Sequence, residues 1–144
     1  MDLSLEELAD FAKEFVASVP LASSSRAHVV GLRGELGAGK TTFVQMVARE
    51  LGITESVTSP TFVFVKAYDI QHPAFSRFVH VDAYRLSLSD ADTIGWEDYR
   101  TDPRNLILVE WPENLAGFPA DAAVIAFTVT GEKTRSLYHH VSDR

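Results

Sequence analysis

The chain has 144 residues, no cysteine and a formal net charge of −7, from 20 acidic against 13 basic residues. That excludes disulfides, thiolate metal sites and cysteine nucleophiles, and it is the wrong sign for a strong non-specific nucleic-acid binder. The five histidines have no H-x-x-x-H spacing for helix-borne zinc, no apolar run reaches the ~20 residues of a membrane span, and the acidic start lacks the basic flank of a secretion signal.

Ser4 and Glu7 form an S-x-x-E capping box just ahead of a periodic segment. Leu5, Leu8, Ala12, Phe15, Val16 and Val19 follow at helical spacing and predict a helix over 5–18. Pro20 and Ser23–Ser25 read as a loop. Ala27–Leu32 is an apolar run that reads as a buried strand, and Gly34–Gly39 is glycine-rich. A second helix is predicted from Lys40 to Leu51, with Gly52 placed to end it.

Phe62–Val65 and Phe78–Val81 have strand composition. The polar stretch between them, with Pro73, is too short for a crossover helix, so an antiparallel hairpin is expected. Ser87–Ile94 reads as a short helix stopped by Gly95. Leu106–Val109 is continuously apolar, the pattern of a strand buried on both faces. Ala123–Val129 and Ser136–Val141 predict two last strands around a turn at Gly131–Thr134. The sum is an α/β domain of three layers, spanning 1–144, with a mixed, mostly parallel sheet and one antiparallel hairpin.

Gly34-Glu35-Leu36-Gly37-Ala38-Gly39-Lys40-Thr41 matches G-x-x-x-x-G-K-[ST] between a predicted strand and a predicted helix, the context of a P-loop. Average residue frequencies give roughly a 1% chance of one accidental match in a chain this long. Glycines let successive N–H groups turn toward phosphate oxygens, and the helix adds its positive dipole end. Lys40 is then the cation for the β- and γ-phosphates, and Thr41 the hydroxyl for magnesium. Glu35 through Thr42 form the candidate nucleotide-binding stretch.

A P-loop needs an acid at the end of a neighbouring strand. Asp82 ends the 78–81 run and Glu110 ends the 106–109 run; physical reasoning alone does not rank them. Thr61, in Ser59-Pro60-Thr61-Phe62, lies where many such proteins carry a γ-phosphate sensor, though a proline turn explains the segment equally. His80 shares a strand face with Asp82, and a lone strand histidine is more often structural. Arg85 reads as a surface residue or a phosphate partner. Trp111 reads as core or as a lid.

Several of these segments together resemble the TsaE family (also called YjeE). They are G-E-L-G-A-G-K-T-T-F at 34–43, V-T-S-P-T-F at 57–62, H-V-D-A-Y-R-L at 80–86, Ile94-Gly95 with Asp98-Tyr99, and V-E-W-P at 109–112. The resemblance implies a cytoplasmic ATPase of bacterial tRNA threonylcarbamoyladenosine modification that uses ATP and magnesium. It implies Lys40, Thr61, Asp82 and Glu110 as catalytic residues, with Thr41, Glu110 and Asp82 toward the metal. Arg135, after Gly131, resembles a basic residue the family keeps near the nucleotide. The implied partners are TsaD and TsaB, which carry out the transfer, so no direct nucleic-acid binding by this chain is expected. The family has a short strand ahead of its first helix, whose residues contact adenine; only four residues precede the helix here. Two other classes share the P-loop. A small-molecule kinase calls for an arginine-rich lid, and no segment clusters arginines. A non-catalytic nucleotide-dependent module has no need of both Asp82 and Glu110.

Overall fold

The computed structural model describes residues 2–20, 25–35, 39–55, 65–84, 94–129 and 134–141. Helix α1 (Leu5–Ser18) opens on the expected capping box. The Glu7 N–H donates to the Ser4 hydroxyl at 3.2 Å, and the Ser4 N–H donates to the Glu7 carboxylate at 3.1 Å. Ahead of it, Asp2–Ser4 forms a strand, β1. Three residues carry no periodicity of their own; this strand exists because the last strand of the chain offers it an edge.

The remaining elements are β2 (His28–Arg33), α2 (Lys40–Glu50), β3 (Val65–Asp69), β4 (Arg77–Asp82), α3 (Trp96–Thr101), β5 (Asn105–Glu110), a 3₁₀ turn at Pro112–Asn114, β6 (Ala123–Val129) and β7 (Thr134–Val141). They form one sheet in the order β1-β7-β6-β2-β5-β4-β3. β6, β2, β5 and β4 are mutually parallel. β7 and β3 run against their neighbours, and β1, antiparallel to β7, points the same way as the central four. The sheet is therefore mixed and mostly parallel, and the hairpin is real, with Val65 opposite Val81 and Asp69 opposite Arg77.

Helices α1 and α2 cover one face. The rings of Phe11 and Phe15 lie 5.6 and 5.7 Å from that of Phe43, over Val30, Phe78, Leu106 and Leu108. On the other face Trp96 of α3 and Leu115 cover Val29, Val79, Ile107 and Val109. β5 lies in the middle of this α/β/α sandwich, and Leu106 to Val109 are all 0% exposed. Each such side chain contributes about 1.5–3 kcal/mol by burial. This explains the unbroken apolar run: both faces of the strand are core.

Gly31 lets the 3₁₀ turn press on β2. A Cβ there would stand 2.8 Å from both Phe118 Cζ and Pro112 Cγ. The segment after β5 is thereby held against the strand that leads into the glycine-rich loop.

Three local expectations need correction, and a fourth is described only at its end. The strand expected at 62–65 is described from Val65 and runs on to Asp69, with residues 62–64 outside the described set. Over Val65–Asp69 it is an edge strand that buries only Val65 and Tyr68, so its later residues carry little apolar signal. Of the helix expected at 87–94 only Ile94 is described; it is helical, and Gly95 follows it at φ +76°, where it is also the residue before α3. β7 starts at Thr134, which was expected in the turn. The start of the chain holds a strand where none was read from pattern.

Candidate nucleotide site

Parallel strands end on a common edge, and that edge is where ligands sit in open α/β sheets. Register places Leu32 opposite Glu110 and Asp82 opposite Glu110. The loop after β2 and the two acids named from sequence are thus neighbours. Gly39, at φ +101°, turns the chain into α2 in a conformation that a Cβ would strain. No side chain caps α2, so its first N–H groups and dipole end face the loop.

Lys40 is 4% exposed. Its ammonium donates to the carbonyl of Gly34 and, at 3.0 Å, to that of Glu35, and stands 4.3 Å from the centre of the Trp111 ring. Burial pushes its pKa below the usual lysine value, opposed by the charges of Glu110, Glu113, Asp82 and Glu35. An anion placed beside it would favour the charged form.

The Thr41 hydroxyl lies 3.1 and 3.0 Å from the two carboxylate oxygens of Glu110. Glu110 is 4% exposed and also meets the Nε2 of His80 at 2.6 Å. His80 is 0% exposed, and its Nδ1 has no hydrogen-bond partner among the described residues. An unpaired buried polar atom of this kind costs about 1–3 kcal/mol. Asp82 is half-buried and accepts from the Tyr84 N–H at 3.1 Å, an Asx turn at the end of β4. Glu110 is thus tied to the first turn of α2 through Thr41, while Asp82 holds the turn at the end of β4 and its charge also acts on Lys40.

Hydroxyl and carboxylate oxygens are hard donors. Magnesium takes few ligands from protein and the rest from water and phosphate. Among the described residues no cluster of three or more His, Asp or Glu is placed to hold a metal ion.

Trp111 is a non-glycine residue at φ +60°. For a bulky side chain that conformation is an outlier, maintained only where the surroundings over-determine it. Here its N–H donates to the Leu32 carbonyl at 3.1 Å, Pro112 starts the 3₁₀ turn, and its ring packs on Tyr84 with centres 4.9 Å apart. Trp111 is neither buried core nor a free lid; it is a half-buried wall beside Lys40. The Asn114 amide donates to the carbonyls of Ala83 and Tyr84 at 3.2 and 3.1 Å, holding the chain after Asp82. Nothing in the sequence pattern singled out Asn114; its role depends on β4 and β5 being adjacent.

Thr42 sits half-buried in the first turn of α2, and Glu35 contributes its carbonyl to Lys40. Register puts Arg135 opposite Val129, at the end of β6 that shares this edge. Leu36, Gly37, Ala38, Thr61 and Arg85 lie outside the described residues. A separate cavity of about 390 Å³ opens at the other end of the strands, between Val19, His28, Arg100 and Ala122. It lies away from the loop, and its one histidine is pushed to a lower pKa by burial. No helix among the described residues is long and apolar enough to cross a membrane.

Comparison with known proteins places the chain in a family. The crystal structure of Bacillus subtilis YdiB superposes with a TM-score of 0.66 at 27% identity, over 99% of this chain and 86% of that one. The tRNA threonylcarbamoyladenosine biosynthesis protein TsaE of Bacillus subtilis is 36% identical over 123 residues, 85% of this chain and 75% of the relative. The protein of the same name from Synechocystis is 38% identical over 96 residues; the match spans 64% of this chain and 59% of that relative's length. The family described as "Threonylcarbamoyl adenosine biosynthesis protein TsaE" matches residues 3–137, so the chain belongs to the TsaE family of tRNA threonylcarbamoyladenosine biosynthesis.

Proposed function

We propose that this chain is a cytoplasmic ATPase, one P-loop domain over 1–144, that binds ATP with magnesium, hydrolyses it slowly and supports a threonylcarbamoyl transfer complex of TsaD and TsaB homologues. One observation carries the reading: Lys40, Thr41 and Glu110 converge where the loop after β2 meets the end of β5, with Thr41 within 3.1 Å of both Glu110 oxygens. The −7 net charge agrees with a role that leaves tRNA contact to the partners.

In this reading the backbone from Glu35 to Thr42 and the Lys40 ammonium hold the phosphates. Thr41 and Glu110 hold magnesium, with Asp82 beside them, and the ion, when bound, neutralises charge on the phosphate oxygens. Glu110 keeps lone pairs free to orient a water for attack in line with the leaving group. Thr61 answers the γ-phosphate, and Arg135 lies toward the nucleotide. Trp111 and Tyr84 shield one side of Lys40 from water.

The loop and helix start at 34–43 carry no arginine of their own to place charge on a γ-phosphate. Phosphate release by the purified chain should therefore be slow, and should rise when TsaD and TsaB are added. Turnover by the chain alone at the ~10 s⁻¹ of a finished enzyme would contradict the dependence on partners.

A further inference from the structure

We propose that His80 is a positioning residue: its Nε2–H holds one oxygen of Glu110 and fixes the carboxylate in the orientation that hydrolysis uses. The proposal rests on the ATPase reading above and adds a residue to it.

Three observations carry it. The 2.6 Å separation between His80 Nε2 and Glu110 Oε2 is short even for a charge-assisted hydrogen bond. The ring is wholly buried, and its Nδ1 has no partner among the described residues, so packing alone would favour an apolar ring of similar size. With Nδ1 unpartnered, the ring proton belongs on Nε2, which makes His80 the donor and Glu110 the acceptor.

The need for such a donor follows from the carboxylate's other partner. The Thr41 hydroxyl has a single hydrogen, yet it stands at hydrogen-bond distance from both Glu110 oxygens. It can hold only one of them at a time, and its oxygen has a second duty toward the metal. His80 comes from a different strand and belongs to neither the loop nor α2. It pins Oε2 from outside the loop and α2, so that the Thr41 hydroxyl, at 3.1 Å, can serve Oε1. Outer partners of this kind set the direction of ligating and basic groups, and a displacement near 1 Å at a reacting group can lose ~10²-fold in rate.

The test compares His80→Gln, which keeps an N–H donor near the Nε2 position, with His80→Phe and His80→Leu, which fill the space without one. The two apolar variants should fold, melt near the wild-type temperature and bind ADP with magnesium within about threefold. Their partner-stimulated kcat should fall at least ~10-fold, with the KM for ATP changed by less than about threefold. His80→Gln should recover most of the lost kcat. Without nucleotide or metal, ¹⁵N-resolved NMR of the wild-type histidine rings should find the His80 proton on Nε2, and Glu110→Ala should move that signal. Wild-type kcat in His80→Phe, no recovery in His80→Gln relative to His80→Leu, or a ring proton on Nδ1 would each overturn the positioning role alone. A wild-type chain that releases no phosphate even with TsaD and TsaB would overturn the ATPase reading, and this role with it.

Discussion

Glu110→Gln should slow partner-stimulated ATP hydrolysis by at least ~10²-fold while leaving ADP affinity within a few-fold. The side chain stays the same size, and its remaining carbonyl oxygen can still accept from Thr41 or His80. What is lost is the charge at the end of β5, beside the loop that would hold the phosphates. Phosphate contacts from the α2 amides and Lys40 are untouched, so binding survives. Asp82→Asn makes the informative comparison. Its carboxylate accepts from the Tyr84 N–H, and the chain after it is clamped by Asn114. Asn keeps an oxygen for that N–H and loses only the charge, so the substitution should lower magnesium-dependent affinity as well as the rate. Steady-state phosphate release with TsaD and TsaB present measures both. If Glu110→Gln turns over at the wild-type rate while Asp82→Asn is inactive, the roles of the two acids are reversed.

The second large effect concerns Lys40. ADP with magnesium at 100-fold above Kd stabilises a folded binder by about 2.7 kcal/mol. For a chain of this length that is a melting shift of roughly 5–10 °C. Lys40→Ala should remove most of it. Without nucleotide the substitution acts in two directions. It leaves the Gly34 and Glu35 carbonyls without their donor and removes the cation over Trp111, but it also relieves the burial of an ammonium whose pKa is already depressed. The comparison must therefore be the ligand-induced shift in each protein, read by thermal melting with and without ADP. An equal shift in both would remove Lys40 from the phosphate site.

Local chemistry made much of the fold readable. The Ser4–Glu7 box needs only four consecutive residues, and α1 runs over the predicted 5–18. The apolar run at 106–109 identified the central strand because burial on both faces leaves no room for alternation. The start of α2 at Lys40 was legible because a glycine-rich run gives way there to helix-forming residues. What escaped depends on partners distant in sequence. β1 exists through its pairing with β7, more than 120 residues away. β3 is an edge strand in which two buried residues suffice. That Thr41 meets Glu110 was not readable from the sequence, because it depends on β2 and β5 lying side by side. His80 read as structural for the same reason: its partner is 30 residues away on the next strand.

The most direct test of the central claim counts modified tRNA formed per TsaD–TsaB complex. With the wild-type chain and ATP, threonylcarbamoyladenosine should accumulate over many turnovers. With Lys40→Ala, with Glu110→Gln or with a non-hydrolysable ATP analogue, it should stop near one product per complex. Equal product in all four mixtures would contradict the proposal that ATP binding and hydrolysis at this site sustain the cycle.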